Sequence, residues 1–393
     1  MKAVDEPQVT DRGILLVAGA LVAIALVPFL FMGPGTDLDG GAVIRSGRAI
    51  IEDLRYTPSR APGAPVHETG VGLLEQIAGT VGTNLGSLLA AIGCAAALAA
   101  LLRHEGVGRA GLVTAVVVAN PWFLIAATST VDFLWALALL LTAAWLLRTD
   151  RAVLAGLAAA LAIGCRASTV ALVACLVVAE LLDQKPEARR RALTTAAVAA
   201  AGALLVFVPA FRASGDSLAF AQNDVPTSSF LVQLGRFAVK DLYLVGPFGA
   251  IVLLLCLPAL AHTLGRLRVD WIVRFGALGL LASQLLFLRF PWKMGHLLPS
   301  LVFLAILLGV ALAHRPGLLT ALVVAQLLYV FVNVQVIRPD VPNAATTGEL
   351  TFDPAWGALV VDTQCRRDDP NAWESVDPAR VEAVWTCAKP WAR

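Results

Sequence analysis

The sequence predicts an all-α polytopic membrane protein, on three observations. Of 393 residues 58% are hydrophobic and only 15% carry charge, against roughly 25% charge in soluble chains. The mean hydropathy is +0.76. Apolar runs long enough to cross a bilayer recur from one end of the chain to the other, so the protein is not a soluble domain with a single anchor.

Along the chain, spans are expected at 13–32, 84–102, 110–127, 131–147, 152–165, 167–182, 192–211, 242–262, 272–288, 297–313 and 318–336, about eleven in all. Residues 1–12 are polar and of mixed charge. The run that follows, Gly13 to Met32, is longer than a signal core and reads as a span. Residues 110–147 turn near Ser129-Thr130 and residues 152–182 near Arg166; their arms are short, as in re-entrant or tilted helices. Residues 1–336 therefore form a transmembrane domain, with a first loop over 33–83. Residues 337–393 form a polar tail too small for a core of its own, which is expected to dock on the outer face.

Lys and Arg in short loops set orientation. Lys2, Arg12, Arg103, Arg109, Arg148, Arg151, Lys185, Arg189–Arg191, Arg266, Arg268 and Arg315 gather on one side, taken as cytoplasmic. The first loop, the loop 212–240, the turn 289–296 and the tail then lie outside, at the plasma membrane. Yet that side keeps Arg45, Arg48, Arg55, Arg60, Arg166, Arg212, Arg236, Lys240, Arg289 and Lys293. Cations on the disfavoured side point to an anionic ligand, to lipid headgroups or to a different topology.

The first loop concentrates the chemistry. Val43, Ile44, Ile50, Ile51 and Leu54 share one helical face and Arg45, Arg48, Glu52 and Arg55 the other, the pattern of a helix lying in the interface. Packing against the bundle is compatible with it. Pro58, Pro62 and Pro65 stiffen the next stretch and hold Arg60, His67 and Glu68 near the bilayer. Asp37 and Asp39 follow the first span closely. Partial desolvation there makes a carboxylate a better base. Asp37 reads first as an N-cap of the interfacial helix, and Asp39 as a catalytic base.

These features, in this order, resemble the GT-C glycosyltransferases, in particular the protein O-mannosyltransferase and lipid A aminoarabinose transferase branch. The family's Arg-Pro-Pro-Gly-Tyr-Pro is similar to Arg60-Ala61-Pro62-Gly63-Ala64-Pro65, with Ala64 in place of the aromatic. Ser129-Thr130-Val131-Asp132 places an acid at a helix start, as the family does. Gly164-Cys165-Arg166-Ala167-Ser168-Thr169 resembles its basic turn, and Arg289-Phe290-Pro291-Trp292-Lys293-Met294-Gly295-His296-Leu297-Leu298-Pro299 resembles its basic turn into Tyr-Leu-Leu-Pro, with His296 for the tyrosine. The resemblance covers about residues 13–336 and implies a GT-C-like bundle using a polyprenyl-phosphate sugar donor.

On that resemblance the catalytic candidates are Asp39 as base, with Asp37 and Asp132. Arg60, Arg166, Arg289, Lys293 and His296 are candidates for the donor phosphate, where negative charge grows in the transition state. His67 and Glu68 are candidates for acceptor or sugar hydroxyls. Each also has a plain structural reading: Asp132 as an N-cap, His296 at a wet helix end, His67 and Glu68 as loop residues. Direct displacement implies inversion at the anomeric carbon. The partners implied are the lipid-linked donor, a lipid, glycan or protein acceptor, and membrane lipids. The competing reading is a secondary transporter or flippase for an anionic or lipid-linked substrate, which should show internal repeats and midplane charges; a scaffold without catalysis is a third.

No cofactor is expected. Six scattered cysteines give no zinc spacing. Asp37-x-Asp39 is a loose divalent-ion pattern, and no metal is assigned to it. A net charge of +2 gives no sign of a nucleic-acid partner. Cys94, Cys165, Cys175 and Cys256 read as packing residues. Cys365 and Cys387 lie in the tail, where a disulfide and two free thiols are equal expectations. Ala358–Asp362 reads as a strand. Trp356, Trp373, Trp385 and Trp391 serve either as headgroup anchors or as a small core.

Overall fold

The computed structural model describes residues 24–215, 229–337, 350–375 and 378–388. The first expected span enters only at its end, a helical turn from Ile24 leading into a 3-10 segment, Val27–Phe31. The N-terminal reading and Trp391 lie outside the described residues.

The chain is helical almost throughout. The helices are α1 (Leu38–Asp53), α2 (Pro65–His104), α3 (Ala110–Val118), α4 (Pro121–Ala127), α5 (Phe133–Arg148), α6 (Ala152–Cys165), α7 (Thr169–Leu181), α8 (Ala188–Ala213), α9 (Phe230–Leu264), α10 (Trp271–Arg289), α11 (Leu298–Ala311) and α12 (Pro316–Phe331). A hairpin, β1 (Val332–Ile337) with β2 (Leu350–Trp356), and two tail helices, α13 (Ala358–Asp368) and α14 (Pro378–Ala388), follow.

Among the described residues five helical runs are long and apolar enough to cross a bilayer, or six if α3 and α4, bent by 74°, make one broken span. The four shorter apolar helices, α5, α6, α7 and α12, have 13 to 16 residues, below the roughly 20 of a full crossing. The expectation of about eleven spans therefore resolves into long spans, a broken one and short helices. Large apolar side chains face outward: Leu204 and Leu205 on α8 are 74% and 73% exposed, and Leu254 and Leu255 on α9 are 65% and 62% exposed. Such surfaces are solvated by lipid tails, not water. The core lies between α2, α3, α5, α10 and α11.

Two breaks shape the pole that carries the first loop. In α2 the helix is interrupted at Ala78–Gly79, so the arm from Pro65 lies against α1 while the rest enters the bundle. The α1 crossing needs glycines: a Cβ on Gly47 would lie 2.7 Å from the Gly72 Cα. In α9 the break is Gly246, at φ +70°, followed by Pro247. Pro247 has no N–H for the Tyr243 carbonyl four residues back, so that carbonyl accepts instead from Trp122 Nε1 at 2.8 Å and the Tyr329 hydroxyl at 2.7 Å. Asn120 Nδ2 takes the Leu244 carbonyl at 2.6 Å, and Gln326 Nε2 takes that of Val245 at 2.9 Å. The freed backbone groups are thus satisfied inside the protein, as a lipid environment requires.

Two sequence expectations are corrected. The last span, expected to reach 336, ends at Phe331, because Val332-Asn333-Val334-Gln335 alternates β-branched and polar side chains and pairs as β1. The strand expected at Ala358–Asp362 opens α13 instead. Its buried residues, Ala358, Leu359, Asp362, Cys365 and Arg366, follow helical spacing, a period that a five-residue window cannot reveal. The tail docks on the loop pole through this helix: Arg366, 1% exposed, donates to the Thr128 carbonyl at 2.8 Å and to Ser129 Oγ at 2.5 Å, and Thr36 Oγ1 donates to Asp362 at 2.5 Å. Cys365 and Cys387 form a disulfide that ties α14 to α13. Trp373 is buried with Val43, Ile44 and Val71, whereas Trp356 is 65% exposed.

Candidate active site

The residues that position the site are local and polar. Asn84 Nδ2 donates to the carbonyls of Leu30 and Gly33 at 3.0 and 2.7 Å, and its oxygen accepts from Thr130 Oγ1 at 3.1 Å. Thr130 N–H donates to the Pro34 carbonyl at 2.8 Å. One buried amide therefore brings the end of the first span beside the turn before α5, and with them Asp37 and Asp132.

The Pro-rich segment is held from below. Glu68, in the first turn of α2 and fully buried, accepts from the Tyr56 hydroxyl at 2.5 Å, the Ser59 N–H at 2.8 Å, the Ser59 hydroxyl at 2.5 Å and the Ala64 N–H at 3.2 Å. Its carboxylate is engaged by its own loop, which makes it the anchor that aims Arg60. Burial beside Glu68 pushes the Tyr56 phenol well above its ordinary pKa, so it remains a donor.

Three carboxylates and three cations then meet from five segments. Arg60 binds Asp39 at 3.0 Å and, more closely, Asp132. Arg166, between α6 and α7, binds the other Asp132 oxygen at 2.9 Å and lies over the Phe133 ring at 4.4 Å. Lys293 binds Asp37 at 2.6 Å and Asp39 at 2.7 Å. The Lys293 ammonium thus occupies the point between Asp37 and Asp39 where a divalent ion would sit. Asp37 is also the N-cap of α1, accepting the Asp39 N–H at 2.9 Å. Asp132 precedes α5 without a side-chain cap bond; its oxygens are committed to the two arginines.

The accessible group among the acids is Asp39, whose side chain is 32% exposed against 11% for Asp37 and 2% for Asp132. Burial alone would raise the Asp132 pKa, but Arg60 and Arg166 outweigh it and hold the carboxyl down at about 2. Partial burial opposes the Lys293 charge, and Asp37 and Asp39 win, so its pKa lies above the ordinary ammonium value.

The two histidines lie close by, uncharged. His296 is packed against the Phe133 ring, 5.6 Å between centroids, with Nδ1 3.3 Å from the Phe290 carbonyl. Burial, then Arg166 and Lys293, press its pKa well below the usual imidazole value. His67 is fully buried, edge-on to Trp135 at 5.3 Å, and burial lowers its pKa to about 4. Neither of its nitrogens has a partner in hydrogen-bond geometry; the Val131 backbone is close enough to bias its protonation but not aligned. Arg289 is exposed and stands apart from the ion-pair cluster, its guanidinium 4.8 Å from the Phe290 ring centre.

Cavities flank the cluster. A narrow groove of about 110 Å³ is lined by Phe133, Leu137, Leu172, Leu286 and Phe287, with Arg166 and His296 in its wall. Phe133 also borders a 40 Å³ recess that holds Lys293 and Asp37, and Asp37 in turn borders a 630 Å³ cavity beneath the tail.

No protein-family model matches the sequence, and no curated protein does. Solved structures do match. ArnT from Cupriavidus metallidurans in the apo state aligns over 96% of this chain and 75% of its own, with a TM-score of 0.57 and 17% identity. The same protein bound to undecaprenyl phosphate aligns over the same shares, with a TM-score of 0.60 and 16% identity. The fold is the GT-C fold. At this identity the likeness establishes architecture, which agrees with the fold that the sequence resemblance implied; the chemistry rests on the residues.

In this GT-C bundle the structure brings together Asp37, Asp39, Asp132, Arg60, Arg166 and Lys293, with His296 and His67 beside them. It places Glu68 beneath the loop and Arg289 at its own helix end. Sequence reasoning missed Asn84, Tyr56 and Ser59, which aim the site, and the pair Asp362 and Arg366, which roofs it. Asn84 within an apolar span was a usable signal, since a buried amide needs partners. Nothing in the tail's sequence pointed to Asp362 or Arg366.

Proposed function

We propose that the protein is an integral membrane glycosyltransferase that moves a sugar from a polyprenyl-phosphate donor to an acceptor hydroxyl or amine with inversion. The observation that carries this reading is the groove: largely apolar, with Arg166 and His296 in its wall and Asp132 bound to Arg166 behind it. An amphiphile with a single anionic head is complementary to that arrangement. The undecaprenyl phosphate held by ArnT is such a molecule.

In the proposed reaction Asp39 takes the acceptor proton, the acceptor oxygen or nitrogen forms a bond to the anomeric carbon, and the bond from that carbon to the phosphate oxygen breaks. The electron pair leaves on the phosphate, whose charge rises from one to two. Arg166 receives that charge, with Lys293 and Arg60 behind it. Neutral His296 contributes a hydrogen bond. Asp132 keeps both arginines aimed, a positioning role. Arg289, over a ring that lines the groove, meets the headgroup at its mouth.

The loop pole is proposed to face the exoplasmic side of the plasma membrane, with the N-terminus cytoplasmic. Basic residues at the opposite pole and the Cys365–Cys387 disulfide support that sidedness. The transporter alternative gains little from the broken helices: the carbonyls freed at Gly246 are committed to Trp122, Tyr329, Asn120 and Gln326.

The test is transfer from a labelled polyprenyl-phosphate sugar in membranes. Asp39→Asn should lose at least a hundredfold in turnover, in the range of general-base loss, while still binding donor. Arg166→Ala should lose donor binding as well. Full turnover in Asp39→Asn would remove it as the base; full donor binding in Arg166→Ala would end the groove assignment.

A further inference from the structure

The 630 Å³ cavity lies between α1 and the tail, with Asp37 and Thr36 on its floor. Shared walls order the three spaces: the groove meets the recess at Phe133, and the recess meets this cavity at Thr36 and Asp37. An in-line displacement needs its attacking group on the face away from the leaving phosphate. With the phosphate on the Arg166 side, that face is the Asp37 side, where the cavity opens. Resting on the glycosyl-transfer reading, we propose that this cavity is the acceptor subsite, that the tail sets acceptor choice, and that the acceptor is a neutral, hydroxyl-rich glycan.

Charge decides the class. Two arginines reach the wall: Arg366 is matched by Asp362 and bonded to the Thr128 and Ser129 groups, whereas Arg45 is exposed, donates to the neutral Trp373 carbonyl at 3.2 Å and keeps its charge. On the acidic side Asp369 is matched by Arg380 at 2.6 Å. Asp37 is matched by Lys293 at 2.6 Å, and the exposed Glu374 and Glu382 then set two carboxylates on the wall against the one cation of Arg45. A phosphorylated or carboxylated acceptor would meet like charge on the way in, whereas hydroxyl groups find carboxylate acceptors for their hydrogen bonds. At 630 Å³ the space falls within the usual range for a small-molecule site. The wall is built in advance: Arg366 and Asp362 lock α13 to the bundle, and Cys365–Cys387 binds α14, which supplies Val381, Glu382 and Val384, to α13. Preformed walls reduce the ordering cost of a weakly held polar ligand.

The experiment is saturation-transfer NMR on the full chain in detergent, with a neutral trisaccharide (maltotriose) and its 6-phosphate as probes, alongside an independent binding assay for undecaprenyl phosphate. Wild type should bind the neutral probe at least tenfold more tightly than the phosphate. Val381→Trp, which narrows the cavity, should weaken neutral-probe binding at least tenfold and leave undecaprenyl phosphate binding within twofold. Glu374→Lys with Glu382→Lys, both exposed and safe for folding, should reverse the preference between the probes. Equal binding of the two probes, or neutral binding indifferent to both variants, would overturn the subsite. Loss of undecaprenyl phosphate binding in wild type, with the trisaccharide results as expected, would overturn the donor reading and leave the cavity assignment standing.

Discussion

Helix α5 carries an ionic network at each end, and the two differ in what they leave open. At its last turn Arg148, with a side chain 6% exposed, binds Glu105 at 2.7 Å, Glu180 at 2.9 Å and Asp183 at 2.8 Å, and lies 4.5 Å over the Trp271 ring. Arg191 adds a second contact to Glu180 at 2.6 Å and another to Asp150. This network ties α5 to α2, α7 and α8 and encloses Glu180 completely. At the other end, about 24 Å away along the helix, Asp132 meets Arg60 and Arg166, but Asp39, Arg60 and Arg166 remain 32%, 28% and 19% exposed, and Arg166 lines the groove. The same chemistry is closed off from solvent at one end and left partly open at the other. Helix polarity suits both ends, with the acid at the N-terminus and the cation at the C-terminus.

This contrast can be broken experimentally. The largest expected effect is at the closed end: Glu180→Gln leaves two buried guanidinium groups undercompensated and should cost about 3–5 kcal/mol in thermal stability, with turnover per folded molecule unchanged. A drop in specific activity at normal stability would erase the distinction between the two ends.

Next comes pH. His67 has its folded pKa lowered to about 4, below the unfolded value of about 6.5. A depressed imidazole contributes stability that is fully present above the unfolded pKa and is lost as pH falls through the folded one. The loop pole should therefore weaken between about pH 6.5 and pH 4, by up to about 3 kcal/mol from this residue. His67→Phe should flatten that part of a melting-temperature profile; an unchanged slope would assign the acid lability elsewhere. Asp132, held down at about 2, contributes stability above the unfolded carboxyl value of about 3.9 that disappears only as pH falls toward about 2.

A smaller effect sharpens the open end. Asp132→Asn leaves the loop-pole cluster with one cation in excess. Thermal stability should fall by less than in Glu180→Gln, because Arg60 and Arg166 reach solvent, and added undecaprenyl phosphate should restore part of the loss. Absence of any ligand rescue in a melting assay would mean that the arginines do not face the anion. The smallest effect concerns the scaffold: Asn120→Ala frees the Leu244 carbonyl at the α9 break and should cost about 1–3 kcal/mol while donor affinity stays within twofold.

The sequence by itself determined the membrane class, most helices and the residue types of the site, because hydropathy and helical period are local properties that a short window samples well. It also singled out the first loop as the candidate segment, since Asp37, Asp39 and Arg60 lie within two dozen residues. Tertiary structure alone decided the pairings: Arg60 meets Asp132, Arg166 meets the same carboxylate from another turn, and Lys293 reaches Asp37 across most of the chain. It decided that Glu68 anchors the loop, that Arg289 stays at its helix end, and that Ala358–Asp362 is helical because its stripe packs on the loop pole. The physical reason is range. Periodicity is written between neighbours three or four residues apart, whereas an ion pair depends on where distant segments come to rest.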